Sequence, residues 1–249
     1  DMMPRSTNEV PSLAMVMVID HSGSMSSAGD PVSGATNLDL AITAADRAVE
    51  ELTENDYVGV VTFDDRYDWQ LPITKVEDKD EIHKAIESVA EGGGTTIKPA
   101  LSAALNEIVK CDADIKHVIL LTDGQGEDRN YGSIIQSYVD SGVTLSTVAV
   151  GADSDQSLLQ TIARGCSGRY YYCDNGTDMP KIFAQEVLLS GETYIQNGNF
   201  SLAVNSSNPI TRGLFADGWP KIKGYISATP QNAANVLLAS DKEDPILSV

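Results

Sequence analysis

The sequence predicts an α/β protein: a doubly wound, mostly parallel sheet with helices on both faces, followed by part of a second domain. Three observations carry this. Continuous apolar runs such as "LAMVMVID" (13–20) and "HVILLTDG" (117–124) read as strands buried on both faces. Segments with apolar residues at helical spacing separate these runs, so strands and helices alternate. After Tyr194 the alternation stops and turn-rich short strands take over.

Residues 13–20 form the first strand, and a polar Gly/Ser loop follows it. Leu38, Ile42, Ala45, Val49 and Leu52 then mark a helix. "YVGVVTF" (57–63) is a second strand, and a weaker one spans Trp69 to Val76, interrupted by Pro72. Ile82, Ile86 and Val89 define a helix closed by Gly92, Gly93 and Gly94. Another begins near Pro99, a favoured first-turn residue, with Leu101, Leu105 and Ile108 on one face. After the strand at 117–124 come a helix (131–140), the strand "VTLSTVAVG" (143–151) and a helix (155–164). The strand "RYYYC" (169–173) and a helix at 178–190 complete the run. Right-handed crossovers would cover both faces of the resulting Rossmann-like sheet. The expected division is a linker at 1–11, one domain at 12–194 and a partial second domain at 195–249, in which "GYISATP" and "NVLLAS" read as short strands.

Acidic residues outnumber basic ones by 36 to 17, a net charge of -19. Nucleic acid and anionic membrane surfaces would repel such a chain, whereas a cation would suit it. No apolar run approaches the roughly 20 residues of a spanning helix, and "DMMPRSTNEV" lacks a leader's apolar stretch, so the segment reads as soluble. Cys166 and Cys173 flank "SGRYYY" and could pair if the backbone turns there; buried free thiols is the simpler reading. His21, His83 and His117 are scattered, which disfavours a His/Cys zinc site.

In a doubly wound sheet, ligands collect beyond the carboxyl ends of the strands. Three oxygen-rich turns should meet there. Asp20-His21-Ser22-Gly23-Ser24 follows strand one, "GGGTT" (92–96) offers Thr95 or Thr96, and "LLTDG" offers Asp123. Any one turn alone would be read as a helix cap. Together, two carboxylates and three hydroxyls make a hard all-oxygen set suited to Mg²⁺, Mn²⁺ or Ca²⁺.

Asp-x-Ser-x-Ser, a Thr after a Gly-rich turn and Thr-Asp-Gly resemble the von Willebrand factor type A domain and its metal-ion-dependent adhesion site, over residues 12–192. The resemblance implies that Ser22, Ser24 and Thr95 contact the ion through hydroxyls and that Asp20 and Asp123 act mainly through water. It also implies an open coordination position for an acidic side chain of a partner protein. "PSLAMVMVIDHSGSM", "DYVGVVTFDD", "GRYYYCDNGTDMPKIFAQE" and the tail "KIKGYISATPQNAANVLLASDKEDPIL" further resemble bacterial multidomain membrane proteins. In those proteins such a domain lies within or beside a glutamine-amidotransferase-like region. That resemblance implies membrane anchoring, an extracytoplasmic domain and an amidotransferase-like identity for 195–249. The long first loop "MSSAGDPVSGATN" departs from the family pattern.

The expected function is therefore cation-dependent protein binding without catalysis. One alternative is an assembly or mechanical subunit of a membrane complex. Another is a metal-assisted hydrolase, for which the motif supplies few acids. A Cys-His nucleophile pair cannot arise from residues 174–249, which hold neither residue type.

Overall fold

The computed structural model describes residues 11–124, 130–191, 195–205, 208–212, 219–226, 235–241 and 245–248. The chain divides into two compact units, Asp1–Gly191 and Glu192–Val249.

The first unit is built on β1 (Leu13–Asp20), α1 (Asn37–Glu51), β2 (Tyr57–Phe63), β3 (Tyr67–Lys75), α2 (Lys79–Glu87), α3 (Ile97–Ile108), β4 (Ile115–Thr122), α4 (Gly132–Asp140), β5 (Thr144–Val150), α5 (Gln156–Gly165), β6 (Ser167–Cys173) and α6 (Met179–Gly191). The sheet order is β3-β2-β1-β4-β5-β6. Every pairing is parallel except β2 with β3. The doubly wound α/β architecture expected from the alternation is the one observed.

The period of two along β1 explains its unbroken hydrophobicity. Met15, Met17 and Ile19 point to one face, where they pack with Ala45 and Val49 of α1, Ile86 of α2 and Phe183 of α6. Val16 and Val18 point to the other, against Leu101 of α3, Tyr138 of α4 and Ile162 of α5. Helices cover both sides, so β1 has no polar face to spend. α1 starts at a capping box: Thr36 N–H donates to Asp39 Oδ2 (2.8 Å) and Asp39 N–H to Thr36 Oγ1 (3.1 Å).

Two strand boundaries differ from the expected ones, and the thiols are free as the simpler reading had it. The weak strand begins earlier, at Tyr67, and runs through Pro72; β3 is the antiparallel edge strand, where a residue without an N–H breaks no interior ladder. β4 ends at Thr122, which puts Asp123 and Gly124 in the turn. Cys166 and Cys173 are free thiols buried on opposite faces of the sheet, in the core beneath α5 and the core beneath α6 respectively. Burial pushes both thiols up to about 11.

β6 begins at Ser167, whose φ of +56° lies in the left-handed region that costs a residue with a Cβ roughly 1–2 kcal/mol. Ser167→Gly is expected to raise unfolding free energy by about 1 kcal/mol, less than the full strain because glycine also loosens the unfolded chain. Urea denaturation would measure it.

One charged group is fully buried on α6. Glu186 accepts from Ser146 Oγ of β5, Tyr171 Oη (2.5 Å) and Arg169 Nε (3.1 Å) of β6. His117 Nε2 of β4 lies 3.0 Å from its Oε1, a charge-pair separation outside hydrogen-bond alignment. Burial pushes the Glu186 carboxyl up, but His117, then Ser146 and Tyr171, outweigh it and hold it at about 2.

The second unit is antiparallel. β7 (Ile195–Phe200) pairs β9 (Ile222–Ile226), and β10 (Val236–Ser240) lies between β8 (Leu202–Val204) and β11 (Pro245–Ser248). Phe200 and Tyr225 meet edge to face at 4.9 Å, and Tyr225 Oη lies 3.1 Å from Ser240 Oγ. "NVLLAS" contains β10, and "GYISATP" forms β9 at its start, the remainder lying outside the described residues. Among the described residues, no helix is long and apolar enough to cross a membrane.

Candidate metal centre

Strand order reverses between β1 and β4: β2 lies to one side of β1, and β4 to the other. The following loops diverge there and open a crevice at the carboxyl edge. Asp20 ends β1, and Asp123 follows the last residue of β4.

Asp20 is fully buried. Its Oδ1 accepts from the Ser22 backbone N–H (2.9 Å) and its Oδ2 from Thr122 Oγ1 (2.5 Å). Those bonds fix both oxygens and tie β1 to β4. Ser22 Oγ lies 3.0 Å from Ser24 Oγ, and Ser24 Oγ donates to Asp123 Oδ1 at 2.7 Å. Thr95 completes the group: a Cβ built on Gly124 would lie 3.1 Å from Thr95 Oγ1, so this hydroxyl sits over the turn after Asp123. The structure thus brings Asp20, Ser22, Ser24, Thr95 and Asp123 to one rim, the bonded pair Ser24 and Asp123 lying 99 residues apart in sequence.

Backbone bonds hold these turns together. Gly23 N–H donates to Gly93 O (3.0 Å), Gly92 N–H to His21 O (2.7 Å) and His21 N–H to Phe63 O (3.1 Å). Asp64 Oδ2 accepts from the Gly93 N–H at 2.8 Å. The glycines at 92–94 are needed for a reason other than tight turning, since none has a positive φ. A Cβ at Gly92 would lie 2.5 Å from Asp64 Oδ2 and 2.9 Å from His21 Cε1, so the turn is glycine because neighbouring side chains occupy that space. Gly92→Ala should displace the Gly-rich turn and with it Thr95, lowering unfolding free energy by about 1–3 kcal/mol, with urea denaturation as the readout.

Electrostatics agree with the donor chemistry. Burial raises the Asp20 carboxyl to about 6, against the lowering by bonds from Ser22 and Thr122, and Asp123 raises it further. Burial also raises Asp123, the Ser24 hydroxyl lowers it, and the charge of Asp153 adds to the rise. Among the described residues, no lysine or arginine forms an ion pair with either carboxylate. Among the same residues, no three His, Cys, Asp or Glu side chains converge as a metal cluster. Two carboxylates and three hydroxyls remain, an oxygen set that fits a hard divalent ion better than a soft one.

His21 turns from this group: its Nδ1 donates to Ala90 O at 2.7 Å. Sequence reasoning missed the positioning roles of Thr122, which orients Asp20, and of Asp64, which pins the Gly-rich turn. The "TDG" motif held the signal for Thr122; nothing local marks Asp64. The first loop is ordered around Asp30, whose carboxylate accepts from the N–H groups of Val32 (2.9 Å) and Ser33 (3.1 Å). Gly176 N–H, just before α6, donates to Gly29 O of the same loop at 3.1 Å.

The uncharacterized protein sll0103 of Synechocystis sp. is 32% identical over 180 residues, covering 70% of this chain and 40% of that protein. The chain therefore spans two fifths of this curated relative's length. An aerotolerance-related membrane protein from Bacteroides fragilis shares the fold, with TM-score 0.61 and 21% identity, over 71% of this chain and 99% of the other. Proximal thread matrix protein 1 from the mussel byssus, with a zinc-occupied metal-ion-dependent adhesion motif, matches with TM-score 0.63 and 25% identity, over 73% of this chain and 46% of its own. The family model of the von Willebrand factor type A domain matches residues 14–185. The chain belongs to the von Willebrand factor type A domain family.

Proposed function

We propose that this chain is a divalent-cation-dependent protein-binding module. Its ion, Mg²⁺ with Mn²⁺ or Ca²⁺ as substitutes, is held by Asp20, Ser22, Ser24, Thr95 and Asp123. The observation that carries the reading is the linked group Thr122–Asp20–Ser22–Ser24–Asp123, with Thr95 beside it, at the strand-order reversal. In this reading Ser22, Ser24 and Thr95 offer hydroxyl oxygens directly. Asp20, already bonded through both oxygens, and Asp123 supply charge. The bound ion polarises and holds one further oxygen, a carboxylate from a partner protein. Gly23, Gly93 and Gly124 keep the rim low enough for another protein surface to approach, and most of the affinity comes from that surrounding surface. In this reading the site binds without turnover.

The mussel protein's zinc-occupied motif supports metal occupancy at such a rim, and the Bacteroides protein supports a membrane context. We read the present chain as an extracytoplasmic part of a membrane-anchored bacterial protein, with residues 195–249 opening an amidotransferase-like second domain.

Calorimetric titration with MgCl₂ tests the site. One ion per chain is expected, and Thr95→Ala should weaken its binding roughly tenfold or more by deleting one oxygen. Absence of binding by Mg²⁺, Mn²⁺ and Ca²⁺ alike would overturn the reading.

A further inference from the structure

We infer that His83 is a proton-operated latch between α1 and α2, through which pH governs how firmly the Gly-rich turn before Thr95 is held. The latch itself needs no ion; its effect on ion affinity rests on the cation-site reading above.

His83 reaches from the middle of α2 to two carboxylates set one helical turn apart on α1. Its Nδ1 lies 2.8 Å from Asp46 Oδ1, and its Nε2 lies 3.0 Å from Glu50 Oε1. A neutral imidazole has one N–H, and its other nitrogen can only accept, as a carboxylate does. Both bonds therefore form only in the imidazolium, which donates one N–H to each acid. Loss of the proton sets a bare ring nitrogen against a carboxylate oxygen and leaves two acids with one donor between them. The His83 side chain is 22% exposed, so its proton exchanges with solvent without any opening of the fold.

α1 and β3 are the elements most closely packed on α2. From α1 the groups facing the ring are Asp46 and Glu50. β3 carries Asp68 and Lys75, and α2 itself carries Lys79 and Glu87 one turn to either side of the ring. Among the described residues, no hydrogen bond joins any of these four to the imidazole. Burial lowers the His83 value, but the bonds to Asp46 and then Glu50, together with the charges of both, outweigh it and hold it above 6.5.

The place of the latch gives it a target. Ile82 and Ile86 set the inner side of α2 into the core that Ala45 and Val49 of α1 also enter, and His83 pins its outer side. Residues 88–94 then lead from the end of α2 to Thr95. Along this short connection Ala90 O accepts from His21 Nδ1 at 2.7 Å, and Gly92 N–H donates to His21 O at 2.7 Å. A shift of α2 therefore reaches the turn through bonded, packed segments. Lys79 Nζ separately donates to Glu50 O at 2.9 Å, so loss of the His83 bonds loosens α2 without releasing it. A histidine raised in the folded state gives stability that is complete below 6.5 and lost as pH rises through its folded value.

The experiment compares the full chain with His83→Gln in metal-free buffer, from about pH 5.5 to about pH 9. An NMR titration of the parent should place the His83 ring above 6.5, and Asp46→Asn should bring it down. In urea the parent should unfold about two- to fivefold less readily than His83→Gln at the acid end, an advantage that vanishes at the alkaline end. Hydrogen exchange, corrected for the intrinsic rate at each pH, should show protection across 82–94 falling several-fold in the parent and staying level in the variant. A ring that titrates at or below 6.5, or a gap between parent and variant that ignores pH, would overturn the latch. Exchange at 88–94 that ignores pH while α2 responds would overturn its link to the Gly-rich turn.

Calorimetric titration with MgCl₂ at both ends of the range separates this inference from the cation site. The ratio of parent to variant affinity should fall several-fold as pH rises. A ratio level in pH would overturn the coupling while leaving the ion in place. If no ion binds and exchange still follows His83, the latch is supported and the cation-site reading fails.

Discussion

Asp20→Asn should abolish the response of this protein to magnesium and leave the metal-free form as stable as the parent or more so. Asparagine retains an oxygen for the Ser22 N–H, and the Thr122 hydroxyl can rotate to accept from the new amide. The change removes a buried charge whose carboxyl stands at about 6, mainly through burial. A carboxylate with a raised folded pKa stabilises the fold most when protonated. Without metal, its contribution falls as pH rises from the ordinary value of 3.8 toward about 6. The parent should therefore lose stability over that window and Asp20→Asn should not, so the metal-free gap favours the variant above it. Magnesium reverses the order. At free ion about one hundred times Kd, a ligand that binds only the folded state adds roughly 3 kcal/mol. For a domain of this size that is a rise of about 5–10 °C in melting temperature. Calorimetry of both proteins, with and without Mg²⁺, measures the effect. A variant that still responds to the ion would remove Asp20 from the site.

Glu186→Ala should be the most destabilising single change outside the rim, costing about 3–5 kcal/mol. The alanine leaves His117 and Arg169 without their carboxylate and opens space where Ser146 and Tyr171 converge. Replacement of the whole cluster by apolar residues need not carry this cost, because buried charge is weak evidence of net stabilisation. The role is one of register: a slip of α6 by one turn would remove the carboxylate from partners on three strands at once. Acid titration reports the same contacts. Glu186 has an ordinary value of 4.5 and stands at about 2 in the folded protein. Its lowered folded pKa gives stability that is present above 4.5 and lost as pH falls toward 2. Parent and variant should differ fully above that window and converge within it. A gap that persists unchanged to pH 2 would contradict the account.

Much of this fold was legible because β1, β4 and β5 are buried on both faces, which makes their sequences continuous apolar runs. The helices on either side carried their own period, whereas the capping pair of Thr36 and Asp39 at the start of α1, though close in sequence, was an unused signal. The edge strand was harder, since Pro72 argues against a ladder except at an edge, and edge position is a property of the finished sheet. The five oxygen-bearing residues were legible because each sits at the end of a strand or after a run of glycines. Their supports were not. Asp64 touches Gly92 and Gly93 from 28 or 29 residues away, and no local pattern records that approach. Glu186 lay beside Phe183 and Val187 on the inward stripe of its helix, and that spacing was an unused signal of burial.

A crystal grown with Mn²⁺ and measured at the manganese absorption edge tests the central claim most directly. The account predicts one strong anomalous peak among Asp20, Ser22, Ser24, Thr95 and Asp123, about 2.0–2.3 Å from the two serine oxygens, as hard-ion coordination requires. A peak elsewhere on the chain, or none at saturating manganese, would contradict it.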